Sequence, residues 1–234
     1  MKIAMWSGPR NLSTAMMYAF AARGDCAVWD EPFYAAYLRE SGSAHPLAAE
    51  IIAAHEADPA KVAARCAGAI PDGKAHFYMK HMPHHMLPGF PLDWAADCVN
   101  IHLIRHPSRV IASYVAKRET VTLEDIGFRQ QTALYQKLGG VIIDSDEIRK
   151  APRAVLEALC ETIGLPFADT MLHWPKGGHP SDGVWAKHWY AAVHDSTGFA
   201  GAEGPLPVTA EAHKPLLVAA LPHYERMRAE ALTV

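Results

Sequence analysis

The chain has 234 residues, half of them apolar and a fifth charged, with a formal net charge of −3. That balance suits a globular α/β protein with a sizeable core. It supplies no overall positive field for a nucleic-acid backbone, so any basic site must be local and nucleic acid is not an expected partner.

Residues 2–6 read as a short buried strand, followed by a Gly/Pro turn and a helix from Ser13 to Ala22 with Ser13 as its N-cap. The apolar run Ile3–Trp6 is cut by Ser7-Gly8-Pro9-Arg10-Asn11, which is too early for a signal-peptide core, and no stretch reaches the roughly 20 apolar residues that span a bilayer. No membrane partner is expected, and four cysteines without a CxxC pair (26, 66, 98, 160) fit a reduced, cytoplasmic protein. A second strand, Cys26 to Trp29, ends at Asp30-Glu31-Pro32. Helices follow near 33–40 and 58–69, separated by His45-Pro46.

Strands at 75–80, 98–104 and 140–143 alternate with helices near 107–118, 122–138 and 151–163. Strand then helix, repeated, predicts one α/β domain over residues 1–234, three-layered, with a central mostly parallel sheet and helices on both faces. Residues 173–205 are rich in Gly, Pro, His and Trp and carry little regular pattern before a last helix at about 209–230. A loop of that length in a compact domain is usually functional or mobile.

The first strand feeds Ser7-Gly8-Pro9-Arg10-Asn11-Leu12-Ser13-Thr14 directly into a helix. Such a junction aims backbone N–H groups and the positive end of a helix dipole at one spot, which holds a phosphate well. Arg10 adds a forked cation, and Ser13 and Thr14 add hydroxyls. The Walker pattern GxxxxGK[ST] fails, because Ser13 and Thr14 stand where Gly and Lys would be. Strand 98–104 ends in Arg105-His106-Pro107-Ser108-Arg109; Pro107 suits a first helical turn, and Ser113 lies two turns further on. Arg105 therefore stands at a strand's C-terminal end, where open α/β sheets bind ligands.

On these residues the chain resembles the sulfotransferases that use 3′-phosphoadenosine 5′-phosphosulfate. Pro9-Arg10-Asn11-Leu12-Ser13-Thr14 is similar to the family's PKSGTTW or PRSGTT loop, and Arg105-His106-Pro107 with Ser113 to its R-x-P strand end and following Ser. Val141-Ile142-Ile143-Asp144, the helix ending Gly164-Leu165-Pro166, and Lys176-Gly177-Gly178 resemble three later family elements, in family order. The resemblance implies a P-loop nucleoside-triphosphatase-like fold and the phosphosulfate nucleotide as co-substrate, with no metal. It places Arg10, Asn11, Leu12, Ser13 and Thr14 on the 5′-phosphosulfate, Arg105 and Ser113 on the 3′-phosphate, and Lys176, Gly177 and Gly178 in a loop closing over it. Two departures stand out: Leu12 replaces the loop glycine, and no aromatic follows Thr14 to stack on adenine.

For catalysis the resemblance implies Arg10 as charge stabiliser and either Glu31 or His81 as the base. Glu31 follows the second strand and is preferred; His81, in Lys80-His81-Met82-Pro83, is similar to the family's KTHLP histidine with the Lys shifted by one. The acceptor is expected to be a small molecule, in a pocket walled by 33–70, 84–95 and 173–205. Trp174, His179, Trp185, His188, Trp189 and Tyr190 either line it or pin the long loop to the sheet. Two other readings stand beside this one. The first is a P-loop kinase that uses Asp144 for Mg²⁺; the second is a non-catalytic nucleotide-binding protein of the same fold.

Overall fold

The computed structural model describes residues 1–43, 45–116 and 120–234. Five strands, β1 (Lys2–Ser7), β2 (Cys26–Asp30), β3 (His76–His81), β4 (Val99–Ile104) and β5 (Val141–Asp144), form one sheet in the order β2-β3-β1-β4-β5. Every pairing is parallel. The register aligns Trp6 with His81, Asp30 with Lys80, Ser7 with Leu103 and Ile104 with Asp144, so all five strands end along one edge.

A parallel sheet is covered on both faces, and its strands are near-continuous apolar runs. Alternation along β1 sends Ile3 and Met5 to one face, with Tyr78, Ile101, Leu103 and Ile143. There they meet α1 (Ser13–Ala21) and α9 (Pro152–Thr162) through Met16, Phe20, Leu156 and Leu159. Ala4 and Trp6 take the other face with Phe77 and Met79, against α4 (Pro59–Ala67) and α7 (Phe128–Leu138). The remaining helices are α2 (Tyr34–Ser41), α3 (Ala48–Ala54), α5 (Pro107–Val115), α6 (Leu123–Ile126), α8 (Ser145–Lys150), the short α10 (Ala186–Trp189) and α11 (Ala191–His194), and α12 (Lys214–Ala229). The expected three-layer α/β architecture is present. No described helix is long and apolar enough to cross a membrane.

Several boundaries differ from expectation for local reasons. The span 122–138 is two helices, because Gly127 takes φ 69° between α6 and α7. Ser13 is not an N-cap but the first helical residue; the cap position is Leu12, with left-handed backbone and no side-chain cap. The turn after β5 is the helix α8, started by the Asp144 carboxylate accepting from the Asp146 N–H at 2.9 Å. The expected end of the helix 107–118 falls at 117–118, outside the described residues.

The loop between β1 and α1 is held from outside. Gln131 on α7 accepts from the Gly8 N–H and donates to the carbonyls of Trp6 (3.1 Å) and Leu103 (2.9 Å). A Cβ at Gly8 would come within 2.8 Å of the Ile126 carbonyl oxygen, so only glycine lets the backbones approach this closely.

Candidate active site

The common C-terminal edge of the strands opens into a cavity of about 450 Å³. It runs from the ends of β2 and β3, at Glu31 and Lys80, across the β1 loop to the ends of β4 and β5, at Arg105 and Arg149.

On the β1–β4 side the groups are donors. Residues Pro9–Ala15 line the cavity, and the first turn of α1 carries no side-chain cap, so its N–H groups face the space that Ser13 and Thr14 also line. Arg10 and Leu12 hold φ of 64° and 76°. Leu12 thus keeps the backbone that a glycine would take, and its side chain packs against the core under α1. Asn11 is buried and donates to the Leu103 carbonyl at 3.2 Å, tying the loop to β4. Arg10 Nε donates to Ser113 Oγ at 2.9 Å, and Arg105 Nη1 donates to the Arg10 carbonyl at 2.5 Å. Burial, and then repulsion from Arg105, pull the Arg10 guanidinium below its ordinary pKa. A donor set with adjacent cations is what a multiply charged anion requires, so a phosphate-bearing ligand fits the residues present.

On the β2–β3 side the groups are acceptors around a buried ammonium. Lys80 Nζ donates to Asp30 Oδ1 (2.7 Å), Glu31 Oε1 (2.6 Å) and the Tyr190 hydroxyl (2.6 Å). Tyr190 in turn donates to Asp30 at 2.8 Å and accepts from Trp185 Nε1 at 3.0 Å. Burial works against the Lys80 charge, but Asp30 and Glu31 outweigh it and move the pKa upward, so Lys80 stays an ammonium. Burial raises the Glu31 carboxyl, with Lys80 opposing and Asp30 adding to the rise. One ammonium cannot balance two carboxylates, and Glu31 is the member positioned to take a proton. Its backbone sits at φ 41°, held by its N–H on the Lys80 carbonyl (2.9 Å), a strained geometry of the kind found at functional positions. His85 lies 3.9 Å from Glu31 through a buried Nδ1 that has no hydrogen-bond partner among the described residues. Burial, followed by His84, keeps His85 neutral.

Of the residues expected from sequence, Arg10, Asn11, Leu12, Ser13, Thr14, Glu31, Arg105 and Ser113 line this one cavity. His81 does not. It is the last residue of β3 and points opposite to Lys80, stacked on Trp6 at 4.7 Å and beside Trp94 at 4.8 Å. Burial, then Lys80, push it down to about 3, so it is a neutral core residue. Lys176 is exposed and pairs with Asp195 at 3.2 Å; Lys176, Gly177 and Gly178 lie off the cavity, whose wall is made instead by Gly198, Phe199 and Ala200. Asp144 caps α8, accepts from the Tyr224 hydroxyl at 2.8 Å, and does not line the cavity. Of the aromatic stretch, Trp189 and Tyr190 line the cavity while Trp174 packs in the core.

Lys80, Arg109, Arg149 and Glu203 were not among the residues expected at the site. A signal existed for the two arginines: Arg109 and Arg149 each stand five residues beyond a strand's last residue, at the ligand edge. Glu203 comes from the long loop and had none, whereas Tyr190, expected either to line the pocket or to pin that loop, lines the cavity.

An all-parallel five-stranded sheet, with a donor-rich loop and an uncapped helix start after its first strand, defines an α/β fold of the P-loop type. Residues 1–231 match the family described as sulfotransferase domain, and the chain belongs to that family. It is 35% identical over 231 residues to the branched-chain-amino-acid aminotransferase-like protein 2 of Arabidopsis thaliana, and 34% to protein 1 of that name. Each match covers 97% of this chain and 41% of the relative, so the chain spans about two fifths of the length of these relatives. Its fold is similar to the sulfotransferase domain from the curacin biosynthetic pathway, with a TM-score of 0.51, 14% identity, and coverage of 94% of this chain and 96% of that one.

Proposed function

We propose that this chain is a sulfotransferase that moves a sulfuryl group from 3′-phosphoadenosine 5′-phosphosulfate to a hydroxyl or amine of a small-molecule acceptor. The observation that carries the reading is one cavity joining the anion-binding loop of Arg10–Thr14 to a buried carboxylate, Glu31, whose affinity for protons is raised.

In this reading the N–H groups at the start of α1, with Ser13 and Thr14, hold the 5′-phosphosulfate. Arg105 and Ser113 hold the 3′-phosphate, and Arg10 meets the charge that grows on the leaving phosphate. Glu31 accepts the acceptor's proton, and Lys80 and Asp30 fix its orientation. Tyr34, Tyr37, His85 and Trp189 wall the space beyond Glu31 and suit an aromatic or flat apolar acceptor. Phe199, also on the wall, is the ring available to the adenine in place of the missing aromatic after Thr14.

The names of the two Arabidopsis relatives mention an aminotransferase. Lys80, the lysine lining the cavity, is clamped as an ammonium between two carboxylates, which is the wrong state for a nucleophilic amine. Non-catalytic binding remains as the second reading because Leu12 stands at the loop's glycine position.

The test pairs binding with turnover. Adenosine 3′,5′-bisphosphate should raise the melting temperature more than the 5′-monophosphate, ATP or GTP. Labelled sulfate should pass from the donor into members of a library of alcohols, phenols and amines without added magnesium. Stronger stabilisation by ATP with magnesium would turn the reading to a kinase. Tight donor binding with neither transfer nor slow hydrolysis would leave the non-catalytic one.

A further inference from the structure

Three arginines from three elements meet on one carboxylate beside the cavity. Arg105 leaves the end of β4, Arg109 stands in the first turn of α5, and Arg149 stands in α8. Glu203, from a stretch without helix or strand (199–210), reaches in among them, with its side chain only 11% exposed. Arg105 Nε donates to Glu203 Oε2 at 3.3 Å and its Nη2 pairs with Oε1, while Arg149 Nη1 lies 2.8 Å from Oε1. Arg109 Nε approaches Oε2 at 3.4 Å but makes no hydrogen bond, leaving a buried donor without a partner among the described residues. The part of this stretch at 199–204, a strap across the site, is also held by its backbone: Arg149 Nε donates to the Gly201 carbonyl at 2.8 Å and Arg109 Nη2 to that of Gly204 at 2.5 Å.

Neither charge nor donor count closes here. Three guanidinium groups face one unit of negative charge and two oxygens, and a buried donor is left over. A phosphate monoester brings three oxygens and a charge of about −1.5 to −2, which fits this donor set better than a carboxylate does. Arg105 is also the residue that touches the phosphate loop, through the Arg10 carbonyl, and Phe199 and Ala200 of the strap line the cavity itself.

We infer that Glu203 is a built-in surrogate for the second phosphate of the nucleotide: its carboxylate occupies the Arg105–Arg109–Arg149 site, and the strap 199–204 must withdraw it before a phosphate monoester enters. The inference rests on the donor reading above for the nucleotide, but not for the anion site. Glu203 competes with the ligand and weakens it, and the same exchange couples nucleotide binding to release of the strap.

Titration calorimetry with adenosine 3′,5′-bisphosphate, the 5′-monophosphate and free sulfate, on wild type, Glu203→Gln and Glu203→Asp, tests this. Glu203→Gln should tighten the bisphosphate by about tenfold, the factor regained when a site open about one-tenth of the time becomes fully available. The 5′-monophosphate should be nearly unaffected, and Glu203→Asp should fall between wild type and Glu203→Gln. In wild type the bisphosphate should speed hydrogen exchange at the amides of 199–206. A weaker bisphosphate in Glu203→Gln, or equal tightening of both nucleotides, would make Glu203 a strut and overturn the inference. Binding of neither nucleotide by any variant would sink the donor reading, and the sulfate titration then decides alone. A larger sulfate response in Glu203→Gln than in wild type upholds the surrogate, whereas an equal or smaller one ends it.

Discussion

Lys80 and Arg105 both emerge at the C-terminal edge of the sheet, yet they meet their partners in opposite ways. Lys80 is enclosed with Asp30, Glu31 and Tyr190, one cation among two carboxylates, and all four are buried. Arg105 shares Glu203 with Arg109 and Arg149, three cations on one carboxylate, at a site that solvent reaches in part. The first cluster carries surplus negative charge, and its charged members stand on adjacent strand ends that cannot move apart, with Tyr190 closing over them. The second carries surplus positive charge and takes its one anion from a loop. An enclosed carboxylate surplus binds a proton, whereas an open cation surplus binds an anion, and the cavity has one at each end.

The largest test of that division is Glu31→Gln. It removes the proposed proton acceptor while keeping shape and the Lys80 contact, so transfer should fall about 10²- to 10⁴-fold with nucleotide binding intact. The wild-type rate should climb with pH through the raised Glu31 pKa, because only the ionised form accepts a proton, and the variant should lose that limb. Radiolabelled transfer across a pH series reads both. A loss of nucleotide affinity equal to the loss of rate would mean that the two ends of the cavity are one site.

A smaller effect is expected at the other end. Arg105→Ala removes a charged hydrogen bond worth about 1.5–3 kcal/mol, so adenosine 3′,5′-bisphosphate should bind roughly tenfold or more weakly. The 5′-monophosphate should hardly change. Calorimetry showing equal losses for both nucleotides would remove the second phosphate site.

The smallest effect sharpens the comparison by way of a residue that belongs to neither cluster. His81 titrates at about 3 in the fold against an ordinary 6.5, so between those values the unfolded chain binds the extra proton and stability falls as pH falls. His81→Phe should be near neutral at about pH 7 and relieve up to about 1.4 kcal/mol per pH unit across that window. Burial also lowers His85 and His102, so part of the acid sensitivity should remain. Urea midpoints at neutral and acid pH measure it. An unchanged acid limb would mean that His81 is not buried neutral.

The contrast between the clusters also tracks what the sequence could reveal. The strands were legible because apolar runs such as Lys2–Ser7 and Val99–Ile104 are buried on both faces, and the loop and Arg105–Ser113 pair because their spacing is local. His81 was misplaced by one residue's worth of strand. Ending β3 at Lys80 puts His81 in a loop at the ligand edge, but the strand runs through His81, and alternation then turns it to the opposite face from Lys80. Glu203 lies 98 residues from Arg105, and only the path of the long loop joins them. The Lys176-Gly177-Gly178 match likewise depended on how that loop runs.

Leu12 carries one more consequence. A leucine forced into left-handed backbone costs about 1–2 kcal/mol, and its partly buried side chain, packed against the core under α1, offsets part of that cost, so the loop's shape is supported by the core beneath it. A glycine would allow the same shape and many others, and a ligand would have to select among them. With leucine, and with Gln131 clamping Gly8, the selection is completed when the chain folds. The cradle is a cast fitting, and any adaptability in the cavity has to come from its other walls.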